Sequence, residues 1–331
     1  LTLWVVHKPD ADGPLQRVAG LAALASPNIL WVDLQSPDAT EEAGVEAHFG
    51  IDVPIEHERA ALEESARFYV EGDALVLNAT IMARMDPSQS PKISRKSQVV
   101  QHRRETLTFI VTPHSLISVR NCPLRAFEIN AGRASVSLNP QDGAGDILAA
   151  LLESLVERAA DYLAASAGEL EDLNVRVLIG HKQVRLETIL RRLGQMGSGA
   201  SQTRDSLASL ARLVRFCLAH AAHFGLPSAR LNMLGIDIDT LQRQSDALKM
   251  DLTFALDATL GLVSARQNDT LKAMAIVTLI FVPPTLIASA LGMNFEAMTI
   301  FKDLNGPWWA AGAMAASSLL IVSIARLGKW L

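Results

Sequence analysis

The chain has 331 residues, 49% hydrophobic and 20% charged, and its 30 basic against 35 acidic side chains leave a formal charge of -5. That balance argues against a nucleic-acid partner, because displacing counterions from a phosphate backbone needs a basic face. Two cysteines, Cys122 and Cys217, lie far apart and rule out a disulfide framework or a paired-cysteine zinc or redox module.

The opening residues, LTLWVVHKPD, carry charge early and read as no signal peptide. Residues 1–145 read as a mixed α+β domain, an α/β sandwich. Short β-like runs stand at Leu3–Val6, Ile29–Val32, Phe68–Val70, Ala74–Leu77, Leu107–Val111 and Leu116–Val119, bounded by Gly, Pro, Asp or Asn. Gly72-Asp73 predicts a hairpin turn. Thr40 to Phe49 predicts a helix with Thr40 as its cap. The polar segment Asp86 to Lys96 reads as a solvated loop, and His102-Arg103-Arg104 as a surface run beside a strand.

From Asp146 the period changes to helical. Ile147, Leu148, Leu151, Leu152, Leu155, Val156 and Ala159 fall on one face, and Asp146 reads as the N-cap. The glycines of Gly194 to Gly199 predict a turn, and a second helix follows from about Thr203 to Phe224, so that 146–227 reads as a helical hairpin. Glu169, Glu171 and Asp172 on it read as a solvated acidic patch. Cys217, His220 and His223 are zinc-compatible in type, but the third drifts by about 60° around a helix, and an ordinary helix is the better reading.

A third helical stretch begins near Ser228 with no strong stop before Gly292. Over 228–271 it is amphipathic, with Leu231, Leu234, Ile238, Leu241, Leu248, Leu252 and Leu256 on one face. It reads as a stalk, stabilised by copies of itself in a homo-oligomer. No charged side chain occurs between Lys272 and Glu296, nor between Asp303 and Arg326. Each stretch is long enough for the roughly 20 apolar residues that cross a bilayer, so 272–295 and 307–326 are predicted transmembrane helices. The intervening 296–306 carries Glu296, Asp303 and the single base Lys302. Arg266 and Lys272 flank the first span, while Arg326 and Lys329 end the second in a basic tail, 327–331. Basic flanks belong on the cytoplasmic side, so both termini are predicted there, with 296–306 periplasmic. Trp308, Trp309 and Trp330 then fall at the interfaces.

Along the first span one stripe reads Leu271, Ala275, Thr278, Val282, Thr285, Ser289, Gly292, small and dotted with hydroxyls. The opposite stripe, with Ile276, Leu279, Ile280, Leu286 and Ile287, is bulky and apolar. A small polar stripe suits a water-contacting, pore-lining face. It equally suits close helix packing, and periodicity does not separate the two. Pro283-Pro284 removes two backbone donors, which orphans carbonyls near Leu279 and Ile280 and requires a kink or a compensating partner. Gly292-Met293-Asn294 marks the outer end of the span. A ring of Asn294 oxygens would bind hydrated Mg2+ through its waters, because that ion dehydrates reluctantly.

The run IASALGMNFEAM, Ile287 to Met298, with GMN closing the first of two C-terminal spans, resembles the CorA family of divalent-cation channels. The ending Arg326-Leu-Gly-Lys-Trp-Leu331 and the Trp31-Val32-Asp33-Leu34 segment are similar to that family's basic C-terminus and early strand. The resemblance implies a funnel-shaped homopentamer in the bacterial cytoplasmic (inner) membrane, its first span lining the pore. Asn268, Leu271, Thr278, Val282 and Thr285 would line it, Leu271, Met274 and Val282 would form the hydrophobic constriction, and Gly292, Met293 and Asn294 the selectivity filter. Family members also bind the permeant metal between cytoplasmic domains. No motif matches those positions, and by composition the candidates are Asp237, Asp239, Asp246 and Asp251, against a reading as solvated stalk carboxylates. Two features depart from the family pattern, Leu291 where an aromatic residue is usual before GMN, and Lys302 in the outer loop.

The implied cargo is therefore Mg2+, with Co2+ or Ni2+ as further substrates. A ZntB-like Zn2+ transporter and a non-conducting membrane-anchored scaffold or metal sensor remain alternatives. The expected partners are membrane lipid, further copies of the chain and the divalent cation, with no resident cofactor. No P-loop, dinucleotide fingerprint or Ser-His-Asp order supports an enzyme.

Overall fold

A computed structural model describes residues 3–8, 15–54, 67–84, 102–134, 143–178, 186–293 and 305–327. Seven strands, β1 (Leu3–His7), β2 (Gln16–Ala19), β3 (Ile29–Gln35), β4 (Phe68–Glu71), β5 (Ala74–Arg84), β6 (His102–Val111) and β7 (Leu116–Arg120), form one sheet in the order β2-β1-β3-β7-β6-β5-β4. β3 and β7 pair in parallel and the other neighbours are antiparallel. The Gly72-Asp73 turn joins β4 to β5 as predicted, with Gly72 at φ 57, where a side chain would be strained.

Both faces of the sheet are covered, which is why its central strands read as continuous apolar runs rather than alternating ones. One face (Leu3, Val5, Val32, Leu34, Ile110, Ile117) packs with Val45 of helix α1 (Ala39–Phe49) and with a 3-10 turn at Leu21–Ala25. The other (Trp4, Trp31, Leu77, Leu107, Phe109, Leu116) packs with helices α2 (Arg125–Ala134), α3 (Ala144–Leu178) and α4 (Leu186–Phe224). Asp33 and Arg120 meet inside the sheet as an ion pair, their side chains 0% and 3% exposed.

Several expectations are corrected. The cap of α1 is Asp38, not Thr40: its carboxylate accepts from the Thr40 and Glu41 amides, both at 2.9 Å, and Glu41 reaches back to the Asp38 amide. These bonds hold the Asp38 carboxyl below its ordinary range. Asp146 lies inside α3, where it accepts from the Gly143 amide at 3.1 Å and closes the helix start from within. Strand β2 was not predicted, because its four residues are all exposed and show no period. β5 and β6 run well beyond their apolar runs into Thr80–Arg84 and His102–Thr106.

The largest correction concerns Gly194 to Gly199, which does not turn the chain. α4 runs unbroken through it from Leu186. Each glycine costs about 1 kcal/mol in a helix, but Leu193, Met196 and Ala200 are buried. Gly199 lies so close to Tyr162 of α3 that a Cβ there would collide with the phenol. The glycine permits helix approach rather than chain reversal. Glu169, read as solvated, is bound by Arg192, with one bond of 2.7 Å. α4 also seals the edge of β5 left open beyond β4: Ser209 and Ser206 accept from the Thr80 and Met82 amides at 2.9 and 3.3 Å. The Asp86–Lys96 loop lies outside the described residues.

Helix α5 (Ser228–Gly292) begins after Gly225, whose φ is 62, and runs for 65 residues. Leu231, Leu234, Ile238, Leu248 and Leu252 are buried in the same core as α3 and α4, with Leu241 half-buried against it, whereas Leu256 is exposed. The chain divides into two compact units, 1–255 and 256–331, and the second holds the end of α5 and helix α6 (Gly306–Leu327).

Candidate ion pathway

α5 and α6 are both long and apolar enough to cross a bilayer, and the membrane-length segment of each is scarcely buried within the chain. Apolar surface of that extent is unstable in water and calls for lipid or further copies of the protein. The half-buried positions of the α5 span are Ile276, Ile280, Pro283, Pro284, Ile287 and Leu291, one face of the helix. Those of α6 are Ala310, Met314, Ser317, Ser318, Ile321 and Val322, with Ala325 buried. The two faces meet at a hydrogen bond from Ser318 Oγ to the Ile280 carbonyl, 3.3 Å. α6 thus faces Ile276, Ile280, the proline pair, Ile287 and Leu291 with a mixture of small and larger side chains, while Leu279 and Leu286 of the bulky stripe stay exposed.

The hydroxyl-bearing stripe points elsewhere. Asn268, Leu271, Met274, Ala275, Thr278, Val282, Thr285, Ser289 and Gly292 are all exposed. α6 therefore leaves the small polar face uncovered, and close packing of that stripe against the second span does not occur within the chain. Thr278 donates to the Met274 carbonyl at 2.9 Å and Thr285 to the Phe281 carbonyl at 2.7 Å. Each hydroxyl proton is committed to the helix's own backbone, which leaves its oxygen as an acceptor. α5 remains helical through Pro283 and Pro284 and ends at Gly292, with Met293 exposed just beyond. Asn294, Glu296 and Asp303 lie outside the described residues.

The stalk aspartates are spread along α5. Asp237, Asp239 and Asp251 are exposed, and Asp246 is half-buried with its Oδ1 3.1 Å from Arg204 Nε. Among the described residues of one chain, no three His, Cys, Asp or Glu side chains group to hold a metal. In the Cys217 helix, burial pushes the thiol up to about 12, and His220 Nδ1 bonds the Phe216 carbonyl at 3.0 Å. Sequence reasoning missed Ser318. Its one available signal was a serine pair, Ser317-Ser318, in a largely apolar span that follows a span with two orphaned carbonyls.

A family model described as CorA-like Mg2+ transporter protein matches residues 26–326. The chain belongs to that family. It is thus a divalent-cation transporter rather than an enzyme. It is 25% identical over 296 residues to the magnesium transport protein CorA of Escherichia coli (strain K12), covering 89% of this chain and 88% of that one. Among solved structures, the CorA magnesium transporter from Methanocaldococcus jannaschii has the same fold. It is 16% identical, with a TM-score of 0.69 over 100% of this chain and 99% of that one. The ZntB cytoplasmic domain from Vibrio parahaemolyticus is similar in fold at 12% identity and TM-score 0.56, covering 80% of this chain and 98% of that one. In this CorA-family chain, the α5 span presents a polar face that α6 does not occupy.

Proposed function

We propose that the protein conducts Mg2+ across the bacterial inner membrane as a homopentamer, with α5 of each subunit lining a central pore. The observation that carries this reading is the uncovered stripe from Asn268 to Gly292, set opposite the face that receives α6. Five copies around an axis would turn Thr278, Thr285 and Ser289 into rings of hydroxyl oxygens that accept from the waters of a hydrated cation. Leu271, Met274 and Val282 would form apolar constrictions that close by excluding water. Gly292, Met293 and Asn294 would form the filter, with Asn294 binding the hydrated ion weakly enough to release it. Glu296 and Asp303 would draw cations to the outer mouth, where Lys302 opposes them.

Both termini are assigned to the cytoplasm, so the membrane potential drives a divalent cation inward with about 2.3 kcal/mol per charge for each 100 mV. Mg2+ is favoured over Zn2+ because the Escherichia coli relative carries magnesium in its name. A cation held between subunits by Asp237, Asp239, Asp246 and Asp251 would favour the closed state and link flux to internal metal. For Asp246, that would mean exchanging Arg204 for the ion.

The test is flux into proteoliposomes. Mg2+ entry without a pH gradient is expected from the unsubstituted protein, and its loss is expected in Asn294→Ala. Zn2+ entry that requires a proton gradient would replace the magnesium reading, and no entry of any divalent ion would refute conduction. Full flux in Asn294→Ala would remove Asn294 from the filter.

A further inference from the structure

Pro283 and Pro284 have no amide proton, so the carbonyls of Leu279 and Ile280 lose their helical donors. In hydrocarbon an orphaned carbonyl is costly, and it weakens the helix at the point where two successive rungs are missing. Ser318 on α6 supplies one replacement, its Oγ donating to the Ile280 carbonyl at 3.3 Å. Serines in helices commonly spend this proton at home. Ser317 donates to the Met314 carbonyl at 2.7 Å and Ser323 to the Leu319 carbonyl at 2.8 Å, both on their own helix. Thr278 and Thr285 do the same on α5. Ser318 departs from that habit and bridges to the acceptor that the proline pair leaves open.

We propose that Ser318 is a positioning residue for the transport pathway, fixing the setting of α5 at its proline pair and thereby of Val282, which lies between Ile280 and the prolines. The proposal rests on the reading of α5 as the pathway-lining helix. Without the hydroxyl, two neighbouring carbonyls lack donors. The i+3 residue of Ile280 is also a proline, so the helix can recover a donor there only by widening locally to an i+5 bond from the Thr285 amide, which turns the residues around Val282 about the axis. With the hydroxyl, that relaxation gains nothing at Ile280, and α6 holds the exposed stripe in a single setting.

The experiment uses the full chain in proteoliposomes with Val282→Cys and Cys122→Ser, Cys217 being buried. A hydrophilic methanethiosulfonate reagent gives the rate of modification at position 282, and Mg2+ flux is read before and after. Ser318→Ala is expected to change the modification rate by about threefold or more, the scale of interhelical hydrogen bonds in membranes. Ser318→Thr keeps a donor and should restore the rate, whereas Ser323→Ala should leave it unchanged. Equal rates with Ser and Ala at 318 would overturn the proposal, as would a change that Thr does not rescue. Modification of position 282 without any effect on flux would refute the pathway reading instead, and the rate comparison would still decide what Ser318 does.

Discussion

Replacing Arg120 by Met would leave the Asp33 carboxylate charged in the middle of the sheet. In the native protein Arg120 donates to Asp33 from Nε at 3.3 and 3.0 Å and from Nη2 at 2.9 Å. It also donates to the Cys122 carbonyl at 2.7 Å and lies over the Phe127 ring at 5.0 Å. Ser118 donates to Asp33 at 2.6 Å and receives the Trp31 indole proton at 2.9 Å. Removing one partner of such a buried pair costs about 3–5 kcal/mol, most of it the penalty for an uncompensated charge. Burial already pushes the Asp33 carboxyl above its ordinary 3.8, against the pull of Arg120. In Arg120→Met that pull is gone and the rise is larger. A raised carboxyl favours the folded state below the unfolded value and loses that advantage as pH rises through the folded value. The deficit of the variant should therefore be smallest near pH 4 and grow as pH rises. Guanidinium unfolding of the detergent-solubilised chain, followed by tryptophan fluorescence at several pH values, measures it. The double variant Asp33→Leu/Arg120→Met carries no buried charge and should be more stable than the single one at pH 7. A single variant that loses less than about 1 kcal/mol, or shows no pH trend, would refute the reasoning.

Gly199→Ala should destabilise the α3–α4 pair by up to about 2 kcal/mol, overpacking against Tyr162 outweighing the gain in helix propensity; a raised unfolding midpoint would show that Tyr162 moves aside freely. The thiols of Cys122 and Cys217, pushed up by burial to about 11 and about 12, should resist alkylation of native protein at pH 8 and react on unfolding. Their neutral forms favour the fold below the ordinary thiol value of 9.0, and that contribution fades as pH climbs towards the folded values. Mass spectrometry after timed alkylation reads the reactivity, and prompt labelling of Cys217 would contradict its burial.

Strong local signals carried the sequence reading where they existed. The two spans, the start of α5 at Ser228 and the Gly72-Asp73 turn were legible because charge-free length, helix breakers and turn chemistry are properties of short stretches of chain. β2 and the outer halves of β5 and β6 carried no such signal. Their backbones are ordered by neighbouring strands and by the serines of α4, partners remote in sequence. The same cause misled the reading of Gly194 to Gly199, where glycine reads as a turn until Tyr162 is known to lie against it.

For the candidate pathway, the sequence alone determined that a stripe of small and hydroxylated residues runs along one side of the first span and a bulky stripe along the other. It also determined that the proline pair leaves two carbonyls without donors. Only the tertiary structure decided which stripe the second span covers and that Ser318 reaches Ile280. The reason is geometric. Helical periodicity fixes the angle between residues on one helix, while the rotation of one helix against another depends on how their side chains pack, and no local pattern encodes it.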